Sequence, residues 1–157
     1  MGAPAFRLAS GCTIAQVLSG RCNAFLLSKG GRHILVDTGR MRSEKKLVDR
    51  LVESGVDGRN LSALVLTHTH FDHAENAAAV KTIFGAKILV HRSEADFLNC
   101  GDSPLPQGTL FPTRWLIRLF GASLQRLFLY RPVAGDILVD ERLDLLDFGF
   151  SATVLHL

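Results

Sequence analysis

The chain has 157 residues, of which 47% are apolar and 21% charged, and this length and composition suit one globular domain spanning 1–157. No apolar run reaches the roughly eighteen residues of a membrane span, and the N-terminus lacks the pattern of a signal peptide, so we expect a cytoplasmic protein without membrane contact. The net charge of +3 comes from scattered basic residues, and nucleic acid is not an expected partner. The three cysteines form no C-x-x-C pair and are expected to be free thiols.

Strands and helices are predicted to alternate along the first two thirds of the chain. The predicted elements are strands at 13–18, 23–28 and 33–39, a helix at 43–55, a strand at 61–67, a helix at 74–85, a strand at 86–91 and a short helix at 93–98. The sequence KGGR is predicted to form the tight turn of a hairpin over 23–39, because glycine accepts positive φ. Ser43 is the predicted N-cap of the first helix, and Gly55 and Gly85 are predicted to end the two longer helices.

The last third of the chain is predicted to contain a loop, a helix and short strands. Glycine, proline and serine predict the loop after Cys100. The segment 113–129 has apolar residues at helical spacing and is predicted to be a helical insertion. It could pack on the domain, cap a substrate cleft, form a dimer surface or lie at a membrane interface. The order of elements predicts an α/β protein with helices layered on a sheet.

The sequence HTHFDH at 68–73 directly follows the apolar strand predicted before it. Extended backbone directs residues i and i+2 to the same side, so His68 and His70 are expected to face one point. Asp72 and His73 follow near the start of the next helix, at the edge where open α/β sheets place their sites. Imidazole and carboxylate groups suit zinc first, with manganese or ferrous iron as alternatives. The structural alternatives are a helix cap for Asp72 and a polar surface loop for the histidines.

The motif resembles the H-x-H-x-D-H signature of the metallo-β-lactamase superfamily. The upstream sequence NAFLLSKGGRHILVDTG, at 23–39, resembles the opening hairpin of that family. The resemblance implies an αβ/βα sandwich, of which this chain is expected to hold mainly the first αβ half. Residues 1–157 would then be the N-terminal portion of a single domain of the metallo-β-lactamase fold.

The same resemblance implies the roles of five side chains. His68 and His70 would bind one metal ion, and Asp72 and His73 would bind a second where one is present. Asp37, at the end of the opening hairpin, would support the metal-binding loop from behind, with a simple turn residue as the alternative.

The expected chemistry is hydrolysis by metal-bound hydroxide. A bound divalent cation lowers the pKa of its water to about 7 and polarises a carbonyl group, and Asp72 would act as ligand or base. Residues 67–98 resemble the glyoxalase-II-like branch of the family, which implies a small-molecule thioester, ester or lactone as substrate.

The family's domain is longer than this chain, and its next motif, carrying the third histidine of the first metal, is expected beyond Leu157. His156 matches the position before that motif and is expected to be a strand-end residue. Each half-site would then bind metal weakly, and zinc can be absent from the chain. A homodimer that replaces the missing half is one expected solution. The alternatives are a non-catalytic fragment or interaction module with the same fold, and a metal-dependent nuclease, which would need a basic groove.

Two further histidines are predicted to be structural residues. His91 ends a predicted strand and is expected to be partly exposed, and His33 follows the hairpin turn and is expected to be solvated.

Overall fold

The computed structural model describes residues 5–20, 22–103, 126 and 128–156. The strands are β1 (Ala5–Arg7), β2 (Thr13–Leu18), β3 (Ala24–Lys29), β4 (Arg32–Val36), β5 (Leu61–Val65), β6 (Lys87–His91), β7 (Ile137–Val139), β8 (Arg142–Asp144) and β9 (Thr153–Leu155). The α-helices are α1 (Glu44–Glu53), α2 (Phe71–Ala74), α3 (Ala77–Phe84) and α4 (Ala95–Cys100). Short 3-10 turns occupy Met41–Ser43, Arg92–Glu94 and Leu146–Phe148.

Strands β1 to β7 form one sheet in the order of the chain. Strands β1 to β4 pair antiparallel, whereas β4, β5, β6 and β7 run parallel. Parallel neighbours need crossover connections, and α1 supplies the one from β4 to β5 while α2 and α3 supply the next. Strands β8 and β9 form a separate antiparallel pair. The carboxyl ends of β4, β5 and β6 therefore meet at one edge of the sheet.

Strands β4, β5 and β6 are buried on both faces, which explains why they are almost continuously apolar. Successive side chains on a strand point to opposite faces, so neighbouring residues enter different cores. The core shared with the helices includes Leu35, Leu47, Leu64, Val80 and Ile88. The core on the opposite face includes Ile34, Ala63, Leu89, Leu145 and Phe150, the last two from the segment of β8 and β9.

The α/β class and the opening hairpin are as predicted. Gly30 and Gly31 have φ angles of 56° and 76°, so both glycines adopt the left-handed conformation that the turn between β3 and β4 requires. The prediction that Ser43 caps α1 is wrong, because its hydroxyl donates to the carbonyl of Arg40 and makes no capping bond. The 3-10 turn that precedes α1 directs the side chain back along the chain.

Two other expectations about local structure need correction. The helix predicted at 74–85 is divided into α2 and α3, and the first of these begins at Phe71, so Asp72 and His73 are helical. His33 is only 7% exposed, because its backbone N–H donates to the carbonyl of Asn60 and its ring contacts Ser28.

The helix predicted at 113–129 lies almost entirely outside the described residues. Among the helices of the described part of the chain, none combines the length and the apolar character needed to cross a lipid bilayer.

Candidate metal centre

The histidine loop, defined here as residues 67–73, leaves the carboxyl end of β5 in the middle of the sheet. His70, with φ −59° and ψ 143°, has extended backbone and is the last residue before α2. The change from extended to helical backbone brings side chains from both parts to the same place. The predicted strand-to-helix context of the motif is therefore present.

Four predicted ligand residues converge in this loop, and a fifth donor joins them. One group of potential metal ligands contains His68, His70 and Asp72, and another contains Cys22, Asp72 and His73. Within each group, the nitrogen, oxygen and sulfur ligand atoms lie within 4.8 Å of one another. The ring centroids of His68 and His73 are 4.0 Å apart, so the two groups adjoin. Asp72 is the one member they share.

Asp37 holds the two ends of the histidine loop together. Its carboxylate accepts hydrogen bonds from the backbone N–H and the hydroxyl of Thr67, at 2.9 and 2.8 Å, and its Oδ2 lies 2.8 Å from Nδ1 of His73. The side chain is buried, and the residue has a φ of 58°, an uncommon conformation for any residue except glycine but one that aspartate adopts more readily than most. Backbone in such a region persists only where its surroundings fix it, and functional sites are where it concentrates.

The middle of the histidine loop is held by residues that the sequence analysis did not single out. Glu94 accepts hydrogen bonds from the backbone N–H of Thr69 at 2.8 Å and from its hydroxyl at 2.6 Å. The hydroxyl of Tyr130 donates to the carbonyl of Thr69 at 2.9 Å. Ser103 accepts a hydrogen bond from the backbone N–H of Phe71 at 3.0 Å. Thr69 is completely buried, where an unpaired backbone group would be costly. Its backbone N–H and carbonyl are both satisfied by side chains from elsewhere in the chain.

The carboxyl end of the loop is attached to the segment that follows β4. The backbone N–H and the hydroxyl of Thr38 both donate to the carbonyl of His73, at 2.7 and 2.8 Å. The buried side chain of Asn76 donates to the carbonyl groups of Thr38 and Arg40. The position of His73 is therefore fixed through its backbone as well as its ring.

The electrostatic environment shifts the pKa values of the adjoining His68 and His73 in opposite directions. Burial, reinforced by the neighbouring His73 and His70, lowers the pKa of His68, which favours a neutral imidazole. The hydrogen bond to Asp37 raises the pKa of His73 above its ordinary value, despite partial burial. A cation that binds His73 must therefore displace a proton more often than one that binds His68.

The contact between Cys22 and Asp72 affects both groups. Sγ of Cys22 donates to Oδ2 of Asp72 at 2.7 Å. Burial, and then this bond to the carboxylate, raise the pKa of the Cys22 thiol to about 12. Burial alone would raise the pKa of Asp72, but the bond from Cys22, a backbone N–H and the nearby His73 and His70 together hold it below the usual value.

These side chains fit a divalent cation by their donor chemistry. Imidazole nitrogen, carboxylate oxygen and thiolate sulfur are the three ligand types that zinc uses in proteins. The contact of Asp37 with Nδ1 of His73 leaves Nε2 as the ligand atom, which is the usual way in which a carboxylate orients a metal-binding histidine. Several polar side chains also meet at the end of the buried strand β5. Without a cation to interact with, such a cluster would be energetically unfavourable there.

His91 and His156 lie apart from both ligand groups. Their rings stack with centroids 3.7 Å apart, and His156 follows the last residue of β9. Neither belongs to a potential metal-binding group among the described residues. This agrees with the expectation that both are residues at strand ends.

Solved structures of two metallo-beta-lactamases share the fold of this chain. Native FEZ-1 metallo-beta-lactamase from Legionella gormanii superposes with a TM-score of 0.66 at 17% identity, covering 92% of this chain and 50% of that one. The metallo-beta-lactamase BJP-1 of Bradyrhizobium japonicum superposes with a TM-score of 0.63 at 19% identity, covering 88% of this chain and 47% of that one. The chain thus spans about half the length of these solved structures.

A curated relative matches a shorter stretch. A probable polyketide biosynthesis zinc-dependent hydrolase of Bacillus velezensis is 40% identical over 52 residues, which are 33% of this chain and 22% of that protein. The family model described as the metallo-beta-lactamase superfamily matches residues 19–155, which include the opening hairpin, the histidine loop and the last strand. The chain therefore belongs to the metallo-beta-lactamase superfamily.

Proposed function

We propose that this chain contributes the first half of the active site of a metal-dependent hydrolase. The observation that carries the proposal is the position of Asp72, whose carboxylate belongs to two adjoining groups of ligand-type side chains at the carboxyl edge of the sheet. Hydrogen bonds to Asp37, Glu94 and Thr38 hold the loop that bears these groups. Such preorganisation supports a binding or catalytic role for the loop and not only a structural one.

His68 and His70 would hold a first cation, and Asp72 and His73 a second. Zinc is the proposed metal, because the donors are of the types it prefers and because the curated relative is named a zinc-dependent hydrolase. When bound, a divalent cation supplies an activated water and polarises the carbonyl that is attacked. Manganese and ferrous iron are accepted by the same nitrogen and oxygen donors.

The residues of the chain have distinct tasks in this proposal. Asp72 remains ionised at neutral pH, because its pKa lies below the usual value, and it orients the attacking water and accepts its proton at a carboxylate oxygen. Asp37 is a positioning residue that fixes the ring of His73 and the start of the loop at Thr67. Glu94 positions the middle of the loop through Thr69.

The proposed substrate is a small molecule with a thioester, ester or lactone group. All three present a carbonyl carbon that is open to attack by water, and hydrolysis breaks the bond to the sulfur or oxygen leaving atom. The likeness of residues 67–98 to the glyoxalase-II-like branch supports this substrate class, whereas the likeness to the solved structures concerns the fold alone.

The proposal is tested by metal content and by hydrolysis. We expect zinc to bind the chain and the double substitution His70→Ala with Asp72→Ala to abolish binding, as measured by elemental analysis after dialysis. The matched control is His156→Ala, which removes a histidine outside both ligand groups and should retain zinc. Hydrolysis of a generic thioester and a generic ester is then assayed with the zinc-loaded chain. Unchanged zinc retention in the double variant would refute the ligand assignment, and zinc retention without hydrolysis would identify a non-catalytic module.

A further inference from the structure

Cys22 is the one cysteine whose sulfur contacts predicted metal ligands. Its Sγ lies 2.7 Å from Oδ2 of Asp72, although fifty residues separate the two in the sequence. By contrast, the sulfur of Cys12 donates to the adjacent carbonyl of Thr13, and Cys100 is exposed at the end of α4. The three thiols therefore have different surroundings, and one of them faces the candidate site.

The position of Cys22 depends on the first hairpin and not on the histidine loop. The residue lies between β2 and β3, next to the strand that pairs with β4, and Asp37 follows β4. The sheet thus brings the loop before β3 to the same edge as the loop after β5. The sulfur of Cys22 groups with Asp72 and His73, whereas His68 and His70 form the other group with Asp72.

We propose that Cys22 is a thiolate ligand of the second cation, together with Asp72 and His73. The inference rests on the proposed metal site and specifies its second position. One sulfur, one carboxylate oxygen and one imidazole nitrogen within 4.8 Å of one another form a three-donor set of the type that zinc accepts. A cation held by Cys22 would take the place of the thiol proton, which would pass to solvent and leave Oδ2 of Asp72 free to act as a ligand.

Access and selectivity follow from the surroundings of Cys22. The residue lines an open cleft of about 160 Å³ together with Gly39, Arg40 and Lys46, so its side of the site faces solvent. A sulfur ligand favours zinc, cobalt and other borderline or soft cations over magnesium and manganese. The second position would therefore be more selective than the histidine pair at the first.

Cobalt spectroscopy of the full 157-residue chain tests the proposal. Cobalt bound by nitrogen and oxygen ligands gives absorption bands in the visible range, and a bond to sulfur adds a charge-transfer band in the near ultraviolet. We expect both features in the parent chain and the loss of the near-ultraviolet band in Cys22→Ser, with visible bands retained. Cys100→Ser is the matched control and should retain both.

The possible outcomes separate this inference from the proposed function. Visible bands without a sulfur band in the parent chain, or a sulfur band that persists in Cys22→Ser, would overturn the role of Cys22 and leave the hydrolase proposal standing. A chain that binds no cobalt would overturn both.

Discussion

Oδ2 of Asp37 lies 2.8 Å from Nδ1 of His73, and the same carboxylate accepts two hydrogen bonds from Thr67. One buried side chain thus connects the first and last residues of the histidine loop. Its left-handed backbone conformation makes this reach possible, because the chain turns sharply at the end of β4. The arrangement separates residues that would bind a cation from a residue that positions them.

Asp37→Asn should weaken zinc binding without unfolding the chain. Asparagine accepts the same backbone conformation and volume, but its amide replaces one of the two carboxylate oxygens that accept hydrogen bonds. Loss of a carboxylate that orients a ligand histidine typically reduces metal affinity by about 10–100-fold. Competition with a chelator measures the affinity, and Asp49→Asn, on the exposed side of α1, is the control. Equal affinities in the two variants would show that Asp37 does not position His73 for metal.

Glu94→Gln should destabilise the histidine loop from its other side. Thr69 presents both its N–H and its hydroxyl to one carboxylate oxygen, and hydrogen bonds to a charged acceptor are stronger than those to a neutral amide. We expect a loss of about 1–2 kcal/mol in the free energy of unfolding, measured by urea denaturation of the metal-free chain. Asp96→Asn, an exposed change on the adjacent helix, provides the comparison and should have little effect. A Glu94→Gln variant as stable as the parent would contradict this role.

The parts of the fold that depend on local pattern could be predicted from the sequence. Strand β2 has the bounds Thr13–Leu18 that its apolar pattern predicts, and Gly55 and Gly85 end α1 and α3 with positive φ. The convergence of His68, His70, Asp72 and His73 was also predictable, because all four lie within six residues of one strand-to-helix junction. Neighbours in the sequence constrain one another directly in such cases.

Contacts between distant segments could not be predicted in this way. Cys22 and Asp72 are fifty residues apart, and Glu94 and Thr69 are 25 apart. No periodicity or motif connects either pair, because the pairing of strands in the sheet decides which loops meet. The expectation that His33 is solvated is wrong for the same reason. The residues that cover it, in β5 and at Ser28, belong to neighbouring strands of the sheet.

The size of the particle in solution tests the expected homodimer. The chain spans about half the length of the solved relatives, and Leu146 and Leu155, near the core that lies away from the helices, remain 65% and 60% exposed. We propose that two copies pair through the surface that carries Leu146 and Leu155. Light scattering coupled to size exclusion should then give twice the chain mass of 17.2 kDa. A mass equal to one chain over a range of concentrations would exclude the dimer.

His33 should make the stability of the metal-free chain depend on pH. Burial lowers the pKa of His33 below its ordinary value of 6.5, although the charge of Asp57 opposes this effect. The unfolded chain therefore binds a proton at His33 more readily than the folded chain does. The contribution of His33 to stability is therefore fully present above the pKa of the unfolded chain and is lost as the pH falls from there through the folded pKa.

Substitution of His33 isolates this contribution. We expect His33→Gln to reduce the loss of stability between about pH 7 and 5, measured as the change in the urea midpoint across that range. Some pH dependence should remain, because burial also lowers the pKa of His68. His156→Gln, which removes an exposed imidazole, is the matched control. If His33→Gln and the parent lose the same stability on acidification, the buried imidazole is not the group responsible.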